Sequence, residues 1–192
     1  MLVYSLLCVA LATGNALFWL HKWHEQGVEL CFADTMMTGV QPSFLLMLLI
    51  PPTLGLVHQL KFILEQPFVI CALDNRARLA RNLLAALLFI AFRAVMAVSI
   101  PSIALGALLF RGGKPCTWES GASYYAYMTG QTLITPVKTG SLIVWQAMTI
   151  WLTVLLVSIL FLSINLSCES HQLGSILSWG VCLLALWMCS FP

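Results

Sequence analysis

Long apolar runs alternate with short polar stretches along this chain. An α-helix that crosses the hydrocarbon core of a bilayer needs roughly 20 apolar residues. Five runs approach or exceed that length, at 1–20, 42–60, 82–110, 141–166 and 174–192. The pattern predicts an all-α, polytopic membrane bundle over 1–192, with five to six transmembrane helices. The first run has no basic leading segment, so we expect a retained span rather than a signal peptide.

The segment 111–140 departs from this alternation. Its first part, RGGKPCTWESG, is typical of a loop, whereas the following ASYYAYMTGQTLI is too short to span and rich in tyrosine. Tyrosine favours the headgroup level of a bilayer. We therefore predict a short interfacial or re-entrant helix in this segment.

The distribution of Lys and Arg predicts the orientation of the chain, because short cytoplasmic loops carry an excess of both. Four basic residues lie between the second and third runs, namely Lys61, Arg76, Arg78 and Arg81. We call the segment 61–81 the elbow and predict that it is cytoplasmic. The N-terminus is then inside, and 21–41 and 111–140 form external loops.

The composition supports membrane insertion and excludes one class of partner. Hydrophobic residues make up 60% of the chain and charged residues only 8%, far from the balance of a soluble domain. The net charge of +2 is small and the sequence has no basic patch with interleaved aromatic residues that could stack on bases, so we expect no nucleic-acid partner. The lipid bilayer is the first expected partner.

Prolines and one arginine interrupt the apolar runs. Pro51 and Pro52 lie near the middle of the second run, and Pro101 should kink or end the third. Arg93 lies inside the third run. A charge at that depth usually faces the bundle interior or a water cavity, although a late start of the helix would let Arg93 reach the cytoplasmic surface. We predict a substrate path or gate at these four residues.

The cysteines and histidines give weaker signals. Cys31 and Cys116 fall in the two predicted external loops, where an oxidising compartment would allow a disulfide. His21 and His24 have a spacing that could bind a metal, and His58 lies at the predicted opposite face. None of the seven cysteines forms a C-x-x-C pair, so we predict no metal site.

Catalytic motifs are missing from the sequence. It contains no Walker A loop, no H-E-x-x-H and no G-x-S-x-G, which are the motifs of nucleotide, zinc and acyl-transfer chemistry. We therefore expect that the chain is not an enzyme and holds no cofactor. A membrane enzyme or haem carrier that uses the scattered His and Cys residues is the weaker alternative.

The elbow combines an aliphatic side with a basic end in PFVICALDNRARL. Such a segment suits a groove on a soluble partner, and it equally suits contact with anionic lipid headgroups at about 1 kcal/mol per basic residue. The residues alone leave both interpretations open.

The order of an apolar span, a Pro-Phe-aliphatic run, Arg-x-Arg and a long apolar span resembles the small permease subunits of bacterial ABC transporters of the ABC-2 exporter type. In that family the segment is a coupling helix that docks on an ATPase subunit. The resemblance implies six docking positions, Phe68, Val69, Ile70, Leu73, Arg76 and Arg78.

The resemblance also implies a function and a set of partners. A permease subunit of this kind lies in the inner (plasma) membrane as a homo- or heterodimer with a second permease subunit. ATP and Mg would be held by a cytoplasmic ATPase subunit. We expect export of a peptide or an amphipathic, lipid-like substrate. The alternative is a non-catalytic assembly or accessory subunit of a larger membrane complex.

Overall fold

A computed structural model of the chain describes residues 2–27, 30–41, 43–64, 76–110 and 139–167, together with Ile176 and Gly180. The elements are α1 (Leu2–Glu25), α2 (Phe32–Thr38), a π-helical turn (Phe44–Leu49), α3 (Ile50–Leu64), α4 (Arg76–Leu109) and α5 (Thr139–Ser167). No strand occurs within these ranges. The all-α class predicted from the sequence is confirmed for this part of the chain.

Three of the described helices are long and apolar enough to cross a membrane, over Leu2–Glu25, Arg78–Leu109 and Gly140–Ile164. A shorter apolar helix covers Phe44–Leu60. The predicted run 174–192 lies outside the described residues apart from Ile176 and Gly180. The described residues thus contain three candidate membrane-spanning helices, and the five to six that the sequence predicts stay a prediction.

The outer surface of the long helices is apolar. Leu6 and Phe18 of α1, Phe92 of α4 and Leu156 of α5 each expose more than half of their area. Soluble monomers rarely expose large continuous apolar patches, and lipid is the solvent in which such a surface is stable. These helices are therefore those of a membrane protein.

Helix α1 presents a narrow stripe of small and aromatic side chains to the bundle. Its buried residues recur almost every four positions, as Tyr4, Cys8, Ala12, Ala16, Leu20 and Trp23. Positions four apart lie on the same helix face. The small members of the stripe let α1 pack closely along α4, as small residues do in membrane bundles.

Helices α1 and α3 run in opposite directions. Asn15 Nδ2 donates to the Thr38 carbonyl at 2.8 Å, just before the chain turns into α3. Further back along α1, the Tyr4 hydroxyl lies 2.9 Å from Thr53 Oγ1. Because Thr53 uses its only proton towards the Leu49 carbonyl at 2.7 Å, Tyr4 is the donor of this pair.

Helix α4 runs parallel to α1. Arg93 Nη1 lies 3.4 Å from Ser5 Oγ, and Leu109 shares a cavity with Leu17 at the other end of α1. The end of α4 therefore lies beside α2, at what we call the α2 end of the bundle. The end of α3 and the start of α4 lie at the opposite end, the elbow end.

Helix α5 returns from the α2 end, antiparallel to α4. Gln146 Nε2 lies 3.4 Å from Ser102 Oγ of α4. Further along α5, the Phe161 ring meets the His58 ring of α3 edge to face, with centroids 6.4 Å apart. Thus α1 and α4 share one direction and α3 and α5 the other.

The prolines do not end the helices that contain them. In the π-helical turn before α3, the Ile50 N–H donates to the Leu45 carbonyl, five residues back. Pro51 and Pro52 follow directly and have no N–H to donate. Pro101 lies inside α4, which continues to Leu109. The predicted break near Pro51 is thus a local widening of the helix, and α4 does not end at Pro101.

Candidate functional site

The short helix α2 lies buried against α1, α4 and α5. Five of its seven residues are buried, namely Ala33, Asp34, Thr35, Met36 and Thr38. This helix belongs to the segment 21–41, for which the hydrophobic pattern predicts an external loop. The structure shows that the segment contributes a packed helix at one end of the bundle.

Two glycines make room for this packing. A Cβ at Gly39 would lie 2.9 Å from Val98 Cγ1 and would also collide with the Gln146 amide. A Cβ at Gly106 would lie 2.6 Å from the Phe32 ring. Both distances are too short for carbon contacts. The close approach of α2 to α4 and α5 therefore requires glycine at both positions.

Asp34 places a carboxylate inside the protein and uses it at the start of α2. Its side chain is fully buried, and Oδ2 accepts the Cys31 N–H at 2.8 Å. The Asp34 N–H donates in return to the Cys31 carbonyl at 3.1 Å. This reciprocal pairing satisfies donors that the first turn of a helix leaves open.

Gln146 and Ser102 form a buried polar contact between α5 and α4, close to Gly39 at the end of α2. Gln146 Nε2 donates to Ser102 Oγ at 3.4 Å, and Ser102 donates to the Val98 carbonyl at 3.0 Å. Gln146 Oε1 is buried with no hydrogen-bond partner among the described residues. We call Asp34, Thr35, Thr38, Ser102 and Gln146 the closed cluster. All five are buried.

Arg93 occupies a different environment, in the middle of α4. It lies 15 residues after Arg78 and 16 before Leu109, the two ends of the candidate span. The side chain is half-buried. Nη1 lies 3.4 Å from Ser5 Oγ, and Cζ lies 4.8 Å from the centroid of the Phe89 ring. In the described part of the chain, one pair of side chains lies within ion-pair distance, namely His21 and Glu25. No acidic side chain of that part lies within ion-pair distance of Arg93.

Arg93 lies at one end of a lateral groove between α1 and α4, with a volume of about 590 Å³. The lining includes Ser5, Val9 and Thr13 of α1, and it continues along α4 to Leu108. A stretch from Arg93 to Leu108 is about 22 Å long at the helical rise per residue. We call this cavity the groove. It is an apolar surface with a single cation at one end.

The structure brings two of the four predicted path residues together. Arg93 and Pro101 both line the groove. Pro51 and Pro52 lie at the start of α3, and the groove lining does not include them. The sequence prediction of a path or gate at all four residues therefore stays a prediction, with its two α4 members now in one site.

The three described histidines, His21, His24 and His58, lie apart from the groove. His21 Nε2 is 3.2 Å from Glu25 Oε1, with both side chains mostly exposed. His21 and His24 line a second cavity of about 800 Å³ at the α2 end. Within the ranges that the structure describes, no group of three or more His, Cys, Asp or Glu could hold a metal ion.

Several predicted residues fall outside the described part of the chain. Phe68, Val69, Ile70 and Leu73 of the elbow are among them, and α4 begins at Arg76. Arg78 is exposed on the first turn of α4. Cys31 is half-buried at the start of α2, while its predicted disulfide partner Cys116 also lies outside the described residues. The docking positions and the disulfide remain predictions.

The sequence reasoning missed the closed cluster. The signal was present in FADTMMTG, where an acidic residue in a first turn and a glycine after the last turn mark a short helix. The polar residues favoured a loop, because α2 is too short to show helical periodicity.

The chain was compared with protein-family models, with curated proteins and with solved structures, and none of them matches it. Its function has to be inferred from its residues and their geometry.

Proposed function

We propose that this chain is the permease subunit of an ABC-type exporter in the plasma membrane, driven by separate ATPase subunits that dock on the elbow. One observation carries the proposal. Helix α4 runs without a break from Arg76, in the basic part of the elbow, past Arg93 to Leu109. A helix of this length measures about 51 Å. It joins the proposed docking site to the groove as one element.

The continuity of α4 gives a physical route for coupling. An ATPase subunit that moves the first turn of α4 displaces the whole helix, since its backbone hydrogen bonds continue along its length. Arg93 then shifts against Ser5 of α1, a contact that is long at 3.4 Å. Pro101 removes one backbone donor beside the groove, which makes that turn the place where α4 can bend.

The proposed substrate is a peptide or an amphipathic, lipid-like molecule. The exposed surface of the long helices is apolar, and among the described residues Arg93 is the one charged side chain that lines the groove. A path between two such subunits would offer the substrate apolar walls and few charges. The gate is proposed at Arg93 and Pro101, and the path is completed by a second permease subunit and the remaining predicted spans.

A second candidate is a non-catalytic assembly subunit of a larger membrane complex. The groove favours it, because an apolar lateral surface with an uncompensated charge is suited to holding another helix. In this case the elbow binds a structural partner rather than an ATPase.

Co-expression with the genes that neighbour this one tests the leading proposal, because an ABC permease requires a separate ATPase subunit. We expect the wild-type chain to carry the ATPase through purification and to raise its turnover. The double substitution Arg76→Glu, Arg78→Glu reverses two charges at the docking surface. It should abolish co-purification and lower stimulated turnover by at least about tenfold, the equivalent of 1.4 kcal/mol of binding.

Arg81→Glu is the matched control, since Arg81 is an exposed residue of the same helix that the family resemblance does not place in the docking set. It should keep the ATPase bound. Wild-type chain that purifies in a folded state without any ATPase would rule out the permease and favour the assembly subunit.

A further inference from the structure

Helix α4 is longer than a bilayer core requires. Its candidate span, Arg78–Leu109, has 32 residues, or about 48 Å at the helical rise per residue. The hydrocarbon core is roughly 30 Å thick. Even at a tilt of 40°, the upper end for transmembrane helices, the span would extend about 37 Å along the membrane normal. Part of α4 therefore lies at the level of the lipid headgroups or beyond it.

The register of the helices gives the depth of Arg93. His21 and Lys22 are exposed at the α2 end of α1, which places one face of the hydrocarbon core there. Ser5, the neighbour of Arg93, precedes His21 by sixteen positions, or about 24 Å. Arg93 likewise precedes Leu109 by sixteen positions, and His21 and Leu109 line the same cavity. In a core of roughly 30 Å, Arg93 then lies about 6 Å inside the face at the elbow end, which an arginine side chain can span.

The charge of Arg93 fits an anion at this level. No acidic side chain of the described residues lies within ion-pair distance of it. Its contacts with the Ser5 hydroxyl and with the face of the Phe89 ring reduce the cost of a cation near apolar groups without neutralising it. The planar guanidinium matches the geometry of phosphate oxygens. Phosphate is also the anion that phospholipid headgroups carry, so charge complementarity favours a headgroup as the partner of Arg93.

The groove continues from Arg93 into the core as an apolar channel. Its described lining residues towards Leu108 are apolar apart from Thr13, whose hydroxyl donates to the Val9 carbonyl at 2.8 Å. The volume of about 590 Å³ is that of a small-molecule site, roughly 300 to 1,000 Å³. A helix segment about 22 Å long and 10 Å wide would occupy roughly 1,700 Å³. The groove therefore fits a narrow hydrocarbon chain better than a helix.

We propose that the groove between α1 and α4 binds an anionic phospholipid of the elbow-end leaflet, with its phosphate against Arg93 and one acyl chain along the groove past Pro101 towards Leu108. The inference stands on the groove and does not rest on the proposed transport function. Its test contains no ATPase, so a failure of the ATPase experiment leaves it intact.

The test uses the purified full chain in phosphatidylcholine vesicles that contain a small fraction of a photoreactive lipid. One probe is a phosphatidylglycerol with a diazirine at the end of one acyl chain, and the matched probe is a phosphatidylcholine with the same chain. Mass mapping after illumination shows which residues each probe reaches. Met148 of α5 is exposed, and the contact of Gln146 with Ser102 places it at about the level of Ile100. It reports contact with bulk lipid.

We expect phosphatidylglycerol to label the stretch from Ile100 to Leu108 about fivefold more than phosphatidylcholine does, after both are normalised to Met148. This ratio corresponds to the roughly 1 kcal/mol that a basic residue gains beside anionic lipid. Equal normalised labelling by the two probes overturns the proposal. A groove that neither probe labels, while Met148 is labelled, also overturns it, because protein would then cover the groove. This comparison on the wild-type chain does not depend on any variant folding.

Variants of the chain test the two parts of the site. Arg93→Gln should remove the preference for phosphatidylglycerol in the groove, whereas Arg93→Lys keeps the charge and should retain most of it. Ala104→Trp narrows the groove and should lower labelling by both probes. Arg81→Gln removes an exposed charge of the same helix and should leave the labelling of the groove unchanged. A preference that survives Arg93→Gln would overturn the proposal.

Discussion

The closed cluster and the groove are two of the places where polar groups enter the described part of this apolar bundle, and they differ in how far they are buried. The closed cluster is buried, and Asp34, Ser102 and Gln146 hydrogen-bond to neighbouring backbone or side chains. The groove opens laterally and holds a half-buried cation with one long contact to a hydroxyl.

This difference distinguishes polar groups that stabilise the fold from a charged group that is available for binding. Buried polar groups with hydrogen bonds fix the position of helices. A cation without a counter-charge adds cost rather than stability. We therefore expect substitutions in the closed cluster to unfold the chain, and substitutions of Arg93 to change binding without unfolding it.

The largest loss of stability is expected for Gly106→Leu. The new side chain would collide with the Phe32 ring and with Thr35 Oγ1, because a Cβ alone already lies 2.6 and 2.9 Å from them. Overpacking of this kind costs about 3 kcal/mol. Unfolding by SDS titration in mixed micelles measures it.

Gly55→Leu is the matched control, since a Cβ at Gly55 meets nothing within 4 Å. It should be neutral or slightly stabilising, because leucine is the better helix former. Equal losses at the two glycines would show that α2 does not pack as described.

The next largest effect is expected for Asp34→Ala. The substitution removes the acceptor of the Cys31 N–H at the start of α2, and an unsatisfied buried donor together with a lost cap costs about 2 kcal/mol. Asp34→Asn keeps an oxygen in the same place and should lose less. The same SDS titration measures both variants, and a larger loss for Asn than for Ala would contradict the role of Asp34 as a helix cap.

A smaller effect is expected for Tyr4→Phe, which removes the hydroxyl that donates to Thr53. Thr53 keeps its own bond to the Leu49 carbonyl, so the loss should be about 0.6 kcal/mol, the average for side-chain hydrogen bonds between membrane helices. A double-mutant cycle with Thr53→Val isolates the pair. Thr13→Val, which breaks a bond within α1 alone, should show no coupling to Tyr4.

The sequence predicted the long helices well and the closed cluster poorly. Length and hydropathy alone identify α1, α4 and α5, because crossing a bilayer sets a minimum apolar length. Whether the polar segment around α2 lies in water or inside the bundle depends on gaps at Gly39 and Gly106. Those gaps depend on how α1, α4 and α5 pack around α2, which the hydrophobic pattern does not show.

The sequence predicted part of the groove. Arg93 stands out among apolar residues in the sequence, and Phe89 lies one helical turn away from it on the same face. Ser5 could not be foreseen as its neighbour, since that contact depends on the parallel register of α1 and α4. Pro101 joins the groove for a similar reason, because it lies two turns beyond Arg93 on α4.

The measurement that tests the central claim most directly is the unfolding of Arg93→Leu in the isolated chain, compared with Asp34→Ala under the same conditions. The account predicts that Arg93→Leu changes the free energy of unfolding by no more than about 0.5 kcal/mol, or raises it. A loss as large as that of Asp34→Ala would contradict the account, because Arg93 would then hold the fold as the closed cluster does.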